Sequence, residues 1–159
     1  IAILMNQLDN YYSTIFRQIY FTIFEKYAHN AIQDGKTKDD LQDKYMQYLS
    51  EQFGTMDIPD IFKHEWNYIP HIHHSPFYCY SYGWGNLSTL ALYKKYEEEG
   101  ERFAHKYIKL LESGNKESTE TLLKDVMNFD VSKKTFWEEG FRTIRDDLET
   151  LRSLTAHLR

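Results

Sequence analysis

Residues 2–33, AILMNQLDNYYSTIFRQIYFTIFEKYAHNAIQ, decide the fold. Apolar side chains recur through them at helical spacing: Leu4, Leu8, Tyr11, Tyr12, Ile15, Phe16 and Ile19, then Ile23, Phe24 and Tyr27. No proline or glycine interrupts the pattern before Gly35, which stands where a helix stop belongs. One long amphipathic helix is expected. Nothing further along alternates convincingly at period two, and there is no repeat or low-complexity segment. The class is all-α.

Working outward, Thr37-Lys38-Asp39-Asp40 forms a capping-box-like start for a second helix, with Leu41, Tyr45, Tyr48 and Leu49 on one face and Gly54 beyond it. Asp57-Ile58-Pro59 can open one short helical turn, and residues 63–75 are expected as an ordered loop anchored by Trp66, Tyr68 and Ile69. Ser75-Pro76 has the pattern of an N-cap followed by the first helical residue, where the missing proline N–H costs nothing. A third helix is therefore expected from Pro76 to about Glu99. Gly100 breaks it, and a continuation from Glu101 to Ser113 ends at Gly114. A short helix from about Thr119 to Met127 follows a turn at residues 115–118. Ser132 is expected to cap a last helix reaching about Leu158.

At 159 residues the chain suits one domain, so residues 1–159 are expected to form a single helical segment with a real core. The net charge of -5 and the lack of a lysine/arginine-rich run give no footprint for nucleic acid. No apolar stretch approaches the ~20 residues of a membrane span, so no membrane partner is expected. Cys79 is the single cysteine, which excludes an intramolecular disulfide and makes a reducing, cytoplasmic setting the default. Ile1-Ala2-Ile3-Leu4-Met5 runs straight into an apolar helical pattern, as expected of a piece that starts inside an element of a longer protein.

The chemistry concentrates in residues 70–82, PHIHHSPFYCYSY, with three histidines and three tyrosines. Imidazole and phenol groups at such a junction are hydrogen-bond donors for a polar ligand or a developing oxyanion. His71, His73 and His74 invite a metal assignment, but zinc needs three or four converging ligands, and adjacent histidines normally point apart. No carboxylate partner stands nearby at ligand spacing, so no metal ligand is assigned. Phe77, Tyr78, Tyr80, Tyr82, Trp84 and Tyr93 cover more than one helix face, which suits either a core or a cavity wall. Gly83 and Gly85 serve either close helix packing or approach of backbone to a ligand. Arg17 and Glu25 suit structural buried charges, Cys79 a small core residue, and Glu97-Glu98-Glu99 a solvated face.

Thr14-Ile15-Phe16-Arg17-Gln18, Phe21, Phe24-Glu25, Ile69-Pro70-His71 and Pro76-Phe77-Tyr78-Cys79-Tyr80-Ser81-Tyr82 occur in this order, followed by Tyr107-Ile108-Lys109-Leu110-Leu111-Glu112-Ser113-Gly114, Thr121-Leu122-Leu123-Lys124 and Phe136-Trp137. Together they resemble the C-terminal part of the oligoendopeptidase F family, thimet-oligopeptidase-like zinc metallopeptidases, over nearly the whole chain. The resemblance implies a multi-helix C-terminal lobe of a bowl-shaped, channel-containing helical peptidase that hydrolyses short peptides. It also implies zinc, held by a family H-E-x-x-H motif and a glutamate on a following helix. Neither is present: His64-Glu65 is followed by Trp66-Asn67-Tyr68, without the closing histidine. Zinc is thus expected in the full-length enzyme on ligands outside this chain, with none on these residues. The chain is expected to need the remainder of the same polypeptide and to be inactive alone.

By the same resemblance, His71, Tyr78, Tyr80 and Tyr82 match the family's catalytic histidine-plus-tyrosine segment, with His71, Tyr78 and Tyr82 also binding substrate. Water attack on a peptide carbonyl builds negative charge on oxygen, which phenol or imidazole donors stabilise. Tyr78 and Tyr82 stand one helical turn apart, whereas Tyr80 falls on roughly the other side. The alternative from a different class is a non-catalytic helical module that binds a peptide or a partner through its aromatic groove. Metal analysis of the dialysed chain is expected to return no stoichiometric zinc; one tightly held zinc per chain would point instead to a small self-contained metal protein.

Overall fold

The computed structural model describes residues 1–158. Helix α1 (Ala2–Tyr11) passes through a π-helical turn (Tyr12–Phe16) into α2 (Arg17–Gln33). Helix α3 (Lys38–Phe53), a 3-10 segment (Asp60–Tyr68) and α4 (Pro70–His74) follow. Then come α5 (Tyr80–Glu99), α6 (Glu101–Ser113), α7 (Thr119–Met127), α8 (Lys134–Thr155) and a closing 3-10 turn (Ala156–Leu158). No strand occurs among the described residues. No helix among them is long and apolar enough to cross a membrane.

Most boundaries fall where the sequence puts them. Thr37 caps α3 through a reciprocal capping box with Asp40, and Gly54, Gly100 and Gly114 each take the positive φ that ends a helix. Four local expectations need correction. The first long helix contains the π turn: Thr14 Oγ1 and Ser13 Oγ both donate to the Asn10 carbonyl, at 2.7 and 3.1 Å, and compete with the backbone amides for it. Residues 63–75 are not a loop, because the 3-10 segment and α4 occupy most of them. Helix α5 starts at Tyr80 and not at Pro76. Ser132 does not cap α8; its hydroxyl bonds Asp130, and Lys133 stands at the N-cap with no side-chain bond.

The chain forms two compact units, residues 10–84 and residues 1–9 with 85 onward. In the first, Phe21, Phe24, Ala28 and Ala31 of α2 pack with Leu41, Tyr45 and Leu49 of α3, and Ile69 and Cys79 join the same cluster. Gly83 settles toward packing, since a Cβ there would lie 3.0 Å from Ile19 Cγ1. In the second unit an aromatic chain runs Tyr96–Phe103–Phe129–Phe136–Trp137, with centroid separations of 6.5, 6.5, 5.4 and 5.0 Å. Ser118 caps α7 by accepting from the Thr121 amide, and Asn128 in the left-handed region ends it, with Phe129 N–H reaching back to the Leu123 carbonyl.

Helices α5 and α8 meet closely in that unit. A Cβ on Gly140 would lie 2.7 Å from the Leu87 carbonyl oxygen, whereas one on Gly85 meets nothing within 4 Å. Chemical denaturation is therefore expected to show Gly140→Ala destabilised by about 1–3 kcal/mol through forced displacement of backbone. Gly85→Ala is expected to be neutral or more stable by up to about 1 kcal/mol. Equal effects from the two would show that the α5–α8 approach is looser than this.

Candidate active site

The site sits in the 10–84 unit, where the 3-10 segment, α4 and the start of α5 follow one another. Ile69 is extended and buried, and Pro70 opens α4 at its first position. That places His71 in the first turn of a five-residue helix. The chain then turns sharply: Tyr78 N–H donates to the Ser75 carbonyl at 3.1 Å, and Phe77 takes φ +60°. Proline second and a positive φ third is the pattern of a type II turn, where the third residue is usually glycine. Proline suits the second turn position as well as a first helical position, so the Ser75-Pro76 signal alone does not separate them.

A buried carboxylate holds this turn. Glu25 of α2 has no solvent exposure, and its Oε1 accepts the Phe77 N–H at 2.7 Å. Its Oε2 is buried without a hydrogen-bond partner. The His29 ring lies 4.9 Å from the Phe77 ring, and His29 Nε2 is 3.9 Å from Glu25 Oε1. Cys79 is fully buried beside them; burial first, and the Glu25 charge second, push its thiol up to about 11.

The turn brings His71, Tyr78 and Tyr82 together. The Tyr78 ring stacks on His71 at 5.6 Å with 7° between planes, and Tyr82 stands edge-on to both at 5.5 Å. The Tyr82 hydroxyl and His71 Nε2 are 3.0 Å apart. If the phenol donates, the imidazole proton sits on Nδ1; if Nε2 donates, the phenol keeps its own proton. Either way one proton of the pair is not used between its two members. Tyr78 is 49% exposed, with no hydrogen bond from its hydroxyl among the described residues. Tyr80 is 57% exposed and makes no ring contact or side-chain hydrogen bond with the three. His73 and His74 are exposed; His73 lies 6.4 Å from the Trp66 ring, and Trp66 in turn packs on Phe24.

A second polar group borders the same cavity as His71. Glu65 is ion-paired with Arg17 and accepts from the Tyr45 hydroxyl at 2.7 Å. Burial, together with that bond to Glu65, raises the Tyr45 phenol well above its ordinary range. The Arg17 guanidinium lies 5.0 Å from the Phe21 ring centroid. A cavity of about 250 Å³ is bordered by Arg17, Phe21, Glu65, Tyr68 and His71.

The sequence matches Peptidase family M3 over residues 1–143. The chain belongs to that family. It is 30% identical over 153 residues to an oligoendopeptidase F homolog of Borreliella burgdorferi, a match covering 94% of this chain and 26% of that protein. It is 31% identical over 125 residues to the oligopeptidase PepF of Bacillus subtilis, covering 77% of this chain and 18% of that one. The crystal structure of oligoendopeptidase-F from Enterococcus faecium superposes with a TM-score of 0.89 at 25% identity, over 98% of this chain and 30% of that one. The chain thus spans between about a fifth and a quarter of the length of the curated relatives it matches.

Members of this peptidase family are generally zinc-dependent. The residues here do not fit a zinc ion: among the described residues no three of His, Cys, Asp or Glu converge. The His-Glu pair at 64–65 is engaged elsewhere, His64 Nδ1 with Gln42 at 3.0 Å and Glu65 with Arg17 and Tyr45.

Three of the four candidate residues meet, then, and Tyr80 does not. Two links were invisible in sequence, Arg17–Glu65 across 48 residues and Glu25–Phe77 across 52. An uninterrupted helix that places a glutamate among aromatic core positions is the one signal that pointed toward the second. Because Cys79 is buried with a raised thiol, a thiolate reagent at pH 8 finds about 10⁻³ of it ionised. Native Cys79 is expected to label at least about 10²-fold more slowly than in denaturant, where exposure and the ordinary thiol range return. Fast labelling of the native chain would contradict the burial.

Proposed function

We propose that this chain is the C-terminal portion of the catalytic domain of a cytoplasmic zinc oligopeptidase, and that it supplies donors to the substrate channel. The His71–Tyr78–Tyr82 cluster carries this proposal. The family's membership and its oligoendopeptidase relatives support the reaction class, hydrolysis of short peptides. The zinc ligands are assigned to the remainder of the polypeptide, since no three histidines, cysteines or carboxylates converge among the described residues.

When water adds to a peptide carbonyl, the oxygen changes from a neutral acceptor to an anion. Tyr78, half-exposed, and the His71 imidazole held by Tyr82 are the groups to meet it. Such donors bond the charged oxygen far more strongly than the neutral carbonyl, so their effect falls on the transition state. The stacking of Tyr78 on His71 and the edge contact of Tyr82 fix all three before substrate arrives, which avoids reorganisation during reaction. Tyr80 has no part in this arrangement.

In the complete enzyme, Tyr78→Phe, Tyr82→Phe and His71→Ala are expected to lower kcat with little change in KM, and at least one tyrosine variant by about 10²-fold. Zinc content is expected to stay at the wild-type level, and the 159-residue chain alone to cleave nothing. Near-normal turnover in all three variants, or cleavage by the isolated chain, would overturn the assignment. The cluster would then be a binding surface without a catalytic part.

A further inference from the structure

Phe77 stands in a backbone conformation that a side chain with a Cβ rarely adopts, at φ +60°. Strain of this kind persists only where the surroundings over-determine it. The surroundings here are few and identifiable. Inside the turn there is the Tyr78 N–H to Ser75 carbonyl bond, and across from it the Glu25 carboxylate, accepting the Phe77 N–H at 2.7 Å. The His29 ring lies over Phe77 on the remaining side. Glu25 makes this single hydrogen bond with Oε1 and leaves Oε2 buried without a partner. A fully buried carboxylate with half its acceptors unused is unfavourable for the fold by itself.

The turn it grips is the segment that sets the site. His71 lies four residues before Ser75, Tyr78 directly follows Phe77, and Tyr82 lies in the first turn of α5, just beyond. The His71–Tyr78 stack, at 7° between planes, requires the chain to double back between α4 and α5. The positive φ of Phe77 therefore lies between the two residues whose rings stack, His71 and Tyr78.

We propose that Glu25 is the positioning residue of the His71–Tyr78–Tyr82 cluster, acting by the reach of its carboxylate oxygen to the Phe77 amide and not by its charge. The catalytic half of this inference rests on the function proposed above; the structural half does not.

Two substitutions separate reach from charge. Glu25→Gln keeps an acceptor oxygen at the same distance and loses the charge, whereas Glu25→Asp keeps the charge and withdraws the oxygen by one carbon. In the complete enzyme, Glu25→Asp is expected to speed hydrogen exchange at the Phe77 and Tyr78 amides and to lower kcat by about 10-fold to 10²-fold at nearly constant KM, as a misplaced catalytic group does. Glu25→Gln is expected to keep slow exchange and to hold kcat within about threefold of wild type. Glu25→Leu, if it folds, is expected to follow Asp. Unchanged exchange in Glu25→Asp, or Gln behaving like Asp, would overturn the proposal. So would faster exchange with normal kcat while His71→Ala lowers kcat. A normal kcat in His71→Ala, Tyr78→Phe and Tyr82→Phe would instead sink the functional assignment, and the exchange result would still decide whether Glu25 sets the turn.

Discussion

Glu65 is the point on which the 10–84 unit turns. The 3-10 segment that carries it buries none of its residues fully, so apolar packing alone gives that segment a weak hold. Glu65 binds it instead to two other elements, to Arg17 at the start of α2 and to Tyr45 in the middle of α3. The three groups satisfy one another where a single member left behind would strand a half-buried charge. Since only Ile69 separates the end of the 3-10 segment from the start of α4, the placement of His71 depends on this tie as well as on its own helix.

Around that tie the fold follows ordinary helical economy. The α2 and α3 faces share one apolar cluster, and the tyrosines at its margin keep their hydroxyls near water or a partner. In the other unit Tyr93, Tyr96 and Tyr107 line an apolar groove of about 310 Å³ together with Leu92, Phe103 and Ile108. Phenols there shield Phe103 without closing over it.

Helices were legible because their signals are local. Apolar spacing gave α1 to α3, and the glycines at 35, 54, 100 and 114 marked ends that take positive φ in the structure. The capping box at Thr37 could be read directly from four residues. What failed was signal shared between two local structures: proline after serine begins either a helix or a turn, and the choice at Pro76 was made by Glu25, fifty-one residues away. Of the short elements between residues 60 and 74, the turn opened by Asp57-Ile58-Pro59 was read, but the length of the 3-10 segment and the existence of α4 were missed, since such helices have too little length for periodicity to show. The site was half legible. Its residue types stood in one thirteen-residue run, yet the separation of Tyr80 from the other three rings and the Arg17–Glu65 pair on the cavity beside His71 came from tertiary structure.

Trp66 has a consequence for which side chain can stand there. Its indole ring fills space against Phe24, but its N–H is buried with no hydrogen-bond partner. A donor left unsatisfied in the interior costs stability that an apolar ring of similar shape does not lose. The ring's bulk, and not its nitrogen, is therefore what this position contributes to the fold. Phenylalanine there would remove the stranded N–H but, being smaller, would leave space beside Phe24, so the position keeps an unpaired donor for the sake of the indole's bulk.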